Sequence, residues 1–205
     1  MAKVKKNKIK KGRVLVVILL IGVILGLFYL KNRKELQVVS VVSEIDSYNY
    51  YLESNSTRIY KKYYKELENE LKDNKVDEEK YAQLVAELFS IDYYTLNNKV
   101  TNKNIGGVQF IHSNLKDKFI SDSSNTVYKY IKNNLYKNRH QQLPEVNSVV
   151  VKDLKQIKYN KKDYKDDSAY EVTVSIGYVK NYDYPTSLTI TLIHENNKLV
   201  IVEIK

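Results

Sequence analysis

Residues 169–180 read AYEVTVSIGYVK, and the pattern of this stretch decides the fold of the chain around it. Apolar side chains recur at every second position from Tyr170 to Ile176, with polar or small residues between them. Because successive side chains of a strand point to opposite faces, the pattern predicts a strand with one buried face. Further strand-like stretches occupy residues 146–157, 187–194 and 198–204. Turn-forming stretches at residues 160–167, 181–185 and 195–198 then predict a four-stranded antiparallel meander.

Helices are predicted before this sheet. Residues 58–72 place tyrosines and leucines at helical spacing, with Ser56 or Thr57 as the N-cap. A second helix begins after the N-cap Asp77 and runs toward Asn97, and a third covers residues 115–135 with a break near residues 121–124. The order predicts an α+β fold in which helices are followed by a curved four-stranded antiparallel sheet, with the helices on one sheet face.

Two shorter stretches complete this part of the chain. Residues 36–52 read LQVVSVVSEIDSYNYYL, and their β-branched and aromatic content predicts a strand. A helix that continues from the preceding residues into Val41 or Val42 is the alternative. The glycine pair Gly106–Gly107 precedes an apolar patch, which predicts a tight turn and close packing at a helix start.

Residues 14–30 read VLVVILLIGVILGLFYL and carry no charge. At 1.5 Å per residue, a helix of this length spans about 25 Å, slightly less than the roughly 30 Å hydrocarbon layer of a bilayer. Tyr29 suits the headgroup level, and the basic residues that follow, such as Lys31, can snorkel to it. The stretch therefore predicts an N-terminal transmembrane helix.

The charges around this stretch predict its orientation. Residues 1–13 hold seven basic residues and no acid, so the N-terminus is expected in the cytoplasm and the C-terminal domain outside, as in a single-pass cell-membrane protein. A cleaved signal peptide is the alternative, but the apolar core ends in Gly-Leu-Phe-Tyr-Leu-Lys, too bulky for a small-x-small cleavage site. The predicted organisation is a basic cytoplasmic tail (1–13), a signal anchor (14–30), a juxtamembrane linker (31–43) and an extracytoplasmic α+β domain (44–205).

Charge also bears on the partners of the domain. The chain has 34 basic and 24 acidic residues, but the tail holds seven of the basic ones and residues 31–35 hold three more beside Glu35. From Leu36 onward, 24 basic and 23 acidic residues are interspersed. Binding to a phosphate backbone needs a concentrated basic surface, so we expect no nucleic-acid partner. The expected partners are the lipid bilayer and envelope proteins, and the oligomeric state is left open.

Few residues suggest chemistry. The three histidines, His112, His140 and His194, lack metal-site spacing, and the chain has no cysteine, so we expect neither a metal nor a cofactor. His194 ends a strand in register with its inward-facing residues, so the candidate ligand pocket consists of His194, Asp92 and Tyr93. In such a pocket a His–Asp pair would shuttle protons. An ordinary packed or surface position explains these histidines better. We therefore predict no catalytic residue and no enzyme activity.

The order of elements from Glu44 to Lys205 resembles the nuclear transport factor 2-like, cone-shaped superfold. A short tail, one span and such a domain are also similar in layout to the bitopic scaffold subunits of bacterial conjugation and type IV secretion machines. The resemblance implies a protein-binding or scaffold module of a bacterial envelope. The superfold also hosts isomerases, dehydratases and ligand-binding modules, so a ligand-binding or enzymatic domain with a concave pocket is the alternative. Converging polar groups around His194 and Asp92 would favour that alternative, whereas an apolar, filled interior with an exposed patch would favour the scaffold.

Overall fold

The computed structural model describes residues 11–31, 36–161 and 163–205, which fall into two compact units, one up to Leu36 and one from Gln37 to Lys205. The first contains helix α1, Lys11–Lys31. Among the described residues, no helix is found that is long and apolar enough to cross a membrane. The anchor at residues 14–30 thus stays a prediction, and parts of the predicted tail and linker (residues 1–10 and 32–35) lie outside the described residues.

The second unit begins with a small antiparallel hairpin of strands β1 (Val41–Ile45) and β2 (Tyr50–Glu53). The single strand predicted over residues 36–52 is therefore interrupted, and the alternative helix does not reach Val41. The interruption is a short turn at residues 46–49 that ends with Asn49 in the left-handed conformation, at a φ of 51°. Asparagine tolerates this conformation better than most residues, so the turn has a local cause.

Helices α2 (Arg58–Lys72) and α3 (Glu78–Tyr94) follow, and both predicted N-caps are confirmed. The Thr57 hydroxyl accepts a hydrogen bond from the amide of Tyr60, and the Asp77 carboxylate accepts from the two amides at residues 79 and 80. Each cap satisfies amides that have no partner inside the helix. Helix α2 buries one face, whereas α3 is buried along most of its surface.

The helix predicted over residues 115–135 is shorter than expected, because α4 spans Lys116–Asn125 only. At its end, the side chains of Ser124 and Asn125 donate to the carbonyl of Ser121, and the hydroxyl of Thr126 donates to the carbonyl of Asp122. Short polar side chains that bond to nearby backbone compete with helix formation, which explains the early end. Residues 126–135 form turns and irregular structure instead.

The predicted four-stranded antiparallel meander is confirmed. Its strands are β3 (Val146–Lys161), β4 (Tyr164–Tyr178), β5 (Ser187–Glu195) and β6 (Lys198–Ile204), in the order β3-β4-β5-β6. The turn predicted over residues 160–167 is shorter than expected, since Asn160 pairs with Lys165 and the strands continue almost to the hairpin tip. Tyr159 and Tyr164 pack in a small second cluster there, which holds the polar stretch in strand conformation.

The main core lies between one face of this sheet and helices α2 and α3. Leu88 and Phe89 of α3 and Val172, Ile190 and Leu192 of the sheet are all fully buried within one continuous cluster. The second unit is therefore a mixed α+β fold with helices on one side of the sheet, as predicted.

The glycine pair lies where the connection from α3 returns over that helix. Gly107 has a φ of 75°, and a Cβ at this position would lie 2.6 Å from the ring of Phe89. A Cβ on Gly106 would overlap the carbonyl oxygen of Asp92. The prediction of a tight turn with close packing is thus confirmed, although a short 3₁₀ turn at Val108–Phe110, not a long helix, follows the pair.

Candidate functional site

His194 lies at the rim of the helix-facing side of the sheet, and its side chain is 32% exposed. Its Nδ1 is 2.8 Å from the carboxylate of Asp166, and its Nε2 is 3.3 Å from the carboxylate of Glu78. Glu78 is the first residue of α3, whereas Asp92 lies 14 residues further along the same helix. At 1.5 Å per residue these positions are about 21 Å apart. The predicted pair of His194 with Asp92 is therefore not formed, because His194 contacts the first residue of α3 and Asp92 lies near the last.

The partner that His194 does have, Asp166, acts on the backbone. Its carboxylate also accepts from the amide of His194 at 2.7 Å and from the amide and hydroxyl of Ser168 at 2.9 and 3.1 Å. Burial raises the pKa of Asp166, but these hydrogen bonds outweigh burial, and the pKa falls below its usual value. The strand register shifts just here, between Ile157 and Tyr159 of β3. The carboxylate thus supplies an acceptor to the amide of His194, next to an irregularity in strand pairing.

Asp92 holds the turn of the glycine pair in place. One carboxylate oxygen accepts from the amide of Gly107 at 2.7 Å, and the other lies 2.5 Å from the ammonium of Lys99. The Lys99 side chain is 3% exposed and the Asp92 side chain 22% exposed, so the ammonium is buried and the carboxylate is partly buried. A small polar cavity of about 230 Å³ beside it is lined also by Glu53 and Lys103. Asp92 is committed to these structural contacts.

Tyr93 belongs to the core. Its ring packs against those of Phe89, Phe119 and Tyr128, with centroids 5.2 to 5.6 Å apart. Its hydroxyl lies 3.1 Å from the hydroxyl of the buried Ser123. The three predicted pocket residues, Asp92, Tyr93 and His194, thus have separate sets of partners. The face of the sheet that they were expected to line is filled by apolar side chains of α2 and α3.

A cleft of about 560 Å³ lies elsewhere, at the end of the sheet where β5 turns into β6. Three segments form its walls: the β1–β2 hairpin, residues 108–116 and the β5–β6 turn. Side-chain amides tie the segments together, because Gln109 bonds both the amide and the carbonyl of Tyr51, and Asn197 donates to the carbonyl of Ser47 at 2.7 Å. We call this feature the Lys198 cleft, after the lysine in its wall.

Lys198 is the unusual residue of the cleft. Its ammonium lies 4.0 Å from the centroid of the Tyr50 ring and 3.3 Å from the carbonyl oxygen of Asn49. Burial, together with the positive charge of Lys116 and against the negative charge of Glu195, lowers the pKa of Lys198 to about 8. The sequence carries no signal for this site, since the residues that surround the amine come from three distant segments.

The surface also has an exposed apolar stretch beside the hairpin. Val38, Val41 and Val42 are 76%, 56% and 57% exposed, and we call them the β1 patch. The amide and carbonyl of Tyr51 bond to Gln109, so they face away from β1. In an antiparallel pair the opposite residue, Glu44, then directs its own amide and carbonyl toward the outer edge of β1. Within the described chain, no strand pairs with that edge.

Comparisons of the chain with models of protein families, with curated proteins and with solved structures find no match. Among the described residues, no group of three or more histidine, aspartate or glutamate side chains is placed to hold a metal ion. The geometry of the surface and the clefts is therefore the basis for proposing a function.

Proposed function

We propose that this chain is a membrane-tethered, extracytoplasmic protein-binding or scaffold module of a bacterial envelope. The observation that carries the proposal is the filled helix-facing side of the sheet, where Leu88, Phe89 and Leu192 are fully buried. A small-molecule site on that side would need an open, concave pocket. Because apolar side chains fill it, we do not propose the alternative of a ligand-binding or enzymatic domain with a pocket on that side, and we assign partner binding to another surface.

The β1 patch is the surface that we assign to this binding. An unpaired strand edge with apolar side chains is a template for another strand. In the sequence, Val38 follows the last residue of the proposed anchor, Leu30, by eight positions. We therefore propose that the occupant is an extended segment of another envelope protein, which pairs with the outer edge of β1.

The proposed placement rests on residues 14–30 as a single-pass anchor, with the N-terminus in the cytoplasm. It is supported by the apolar composition of that stretch and by the excess of basic residues that precedes it. The resemblance to the nuclear transport factor 2-like superfold and to bitopic scaffold subunits remains an expectation that agrees with this arrangement.

Cysteine labelling tests the placement, because the chain has no cysteine of its own. We would make Ala2→Cys in the tail and Asp167→Cys in the domain, where the side chain is 91% exposed. A thiol reagent that does not cross membranes is then added to cells whose inner membrane is intact. We expect it to label Asp167→Cys and to reach Ala2→Cys only after permeabilisation. The reverse pattern would contradict the topology.

Photo-crosslinking tests the partner. A benzophenone amino acid at Val42 should give adducts with another envelope protein in living cells. The matched control places it at Lys158, which is on a strand and has an 82% exposed side chain outside the β1 patch. The same adducts from both positions, or adducts only between copies of this chain, would refute the proposed occupant.

A further inference from the structure

The amine of Lys198 has fewer partners than an ammonium group can use. It donates to the carbonyl of Asn49 at 3.3 Å and lies over the ring of Tyr50, and no carboxylate in the described chain lies within ion-pair distance of it. Glu195, the acid whose charge acts on Lys198, instead accepts from the hydroxyl of Ser113 and lies 3.6 Å from Nε2 of His112. A lysine has three N–H donors, so this amine is available to a ligand in the cleft.

The groups that face the cleft suit an amine nucleophile with an anion site beside it. Lys116 contributes a second ammonium from the start of α4, while the acids are Glu195 and the exposed Glu44 of β1. Lysines become nucleophilic when they are desolvated or lie near another cation. Lys198 is half-buried against the ring of Tyr50 and lines the same cleft as Lys116. The volume of about 560 Å³ is within the range of small-molecule sites.

We propose that the Lys198 cleft is a covalent binding site for a small aldehyde or ketone that carries an anionic group. The Nζ lone pair of Lys198 attacks the carbonyl carbon to give a carbinolamine, which then loses water to leave an imine. The two N–H protons and the carbonyl oxygen depart together as that water, so no oxidant or reductant is needed. Lys116 binds the carboxylate or phosphate of the same molecule. This activity is separate from the partner binding proposed above.

Reductive labelling of the purified full-length chain in detergent tests the site. The probe is glyoxylate with cyanoborohydride at neutral pH, and peptide mass spectrometry measures the labelling rate at each lysine. At pH 7 an amine of pKa 8 is deprotonated about 300-fold more often than an ordinary lysine. A less basic amine is also a weaker nucleophile, which offsets part of this increase in rate. We therefore expect Lys198 to react more than tenfold faster than the exposed Lys158. Equal rates at the two residues would overturn the proposal.

The anion site has its own control. Glycolaldehyde has the same two-carbon length as glyoxylate but carries a hydroxymethyl group in place of the carboxylate. The variant Lys116→Gln should lower the preference of Lys198 for glyoxylate over glycolaldehyde several-fold, and an unchanged preference would overturn the role of Lys116. A phosphate-bearing aldehyde, pyridoxal 5′-phosphate, distinguishes the two anion classes by its rate relative to glyoxylate. The variant Lys198→Arg keeps the charge, and its circular dichroism reports whether the domain is still folded.

Discussion

Replacing Glu87 with glutamine is expected to change how the stability of the domain depends on pH. Glu87 lies in α3 and is 8% exposed, and no hydrogen bond or ion pair joins its carboxylate to the described residues. Burial raises its pKa from 4.5 to about 7, with Glu66 adding to the effect and Lys80 opposing it. The folded protein therefore holds this proton over a pH range in which the unfolded chain has lost it.

The sign and the size follow from proton linkage. Between about pH 4.5 and pH 7 the folded state binds one more proton than the unfolded state, so stability falls as pH rises through this window. A difference of about 2.5 pH units, at 1.36 kcal/mol per unit, amounts to about 3 kcal/mol of unfolding free energy. Glu87→Gln has no proton to lose, so this part of the pH dependence disappears.

Urea unfolding at several pH values measures the effect. The chain has no tryptophan and 19 tyrosines, so tyrosine fluorescence is a suitable signal. The matched control is Glu79→Gln, an exposed residue on the same helix. We expect the control to follow the wild type and Glu87→Gln to gain about 3 kcal/mol relative to both between about pH 5 and pH 8. Parallel curves for all three proteins would refute the reasoning.

Three further predictions concern unfolding free energies measured in the same way. Asp92→Ala should cost about 3–5 kcal/mol because it leaves the buried ammonium of Lys99 unpaired, whereas Lys99→Met should cost clearly less; equal costs would contradict the ion-pair argument. Gly106→Ala should cost more than about 2 kcal/mol because its new Cβ would meet backbone atoms. Gly177→Ala should cost less because its Cβ would meet a serine side chain that can rotate, and the reverse order would contradict this steric argument. Thr57→Ala removes the N-cap of α2 and should cost about 1 kcal/mol, so an unchanged urea midpoint would show that the cap is dispensable.

Local patterns were sufficient for much of this fold. The caps at Thr57 and Asp77 and the alternation in β4 each depend on residues that are close in sequence, so the starts of α2 and α3 and the alternating part of β4 were predictable. The same reasoning was wrong where side chains compete with the backbone. The polar residues at the end of α4 bond to the preceding turn, and an apolar periodicity beyond Asn125 does not show this.

The candidate sites depended on information that a single pattern does not contain. His194 and Asp92 are residue types that could form a proton-shuttling pair. Only the path of α3 shows that His194 contacts the first residue of this helix while Asp92 lies near its last. Lys198 has no motif, because Tyr50, Lys116 and Lys198 meet only after three distant segments have packed. Burial and charge then determine the pKa of the amine, and neither can be read from neighbours in sequence.

The long β3–β4 hairpin has a consequence for local motion. Residues 164–169 of β4, between the hairpin turn and Tyr170, do not pair with β5. The outer part of the hairpin is therefore a two-stranded ribbon. A ribbon of this kind is marginally stable alone, and it is held by the small cluster around Tyr159 and by the bonds of Asp166 to His194. Its amide protons should therefore exchange with deuterated solvent as one cooperative opening unit, well before those of the central strands. We therefore expect the tip of the sheet to open and re-form while the core between the sheet and helices α2 and α3 stays intact.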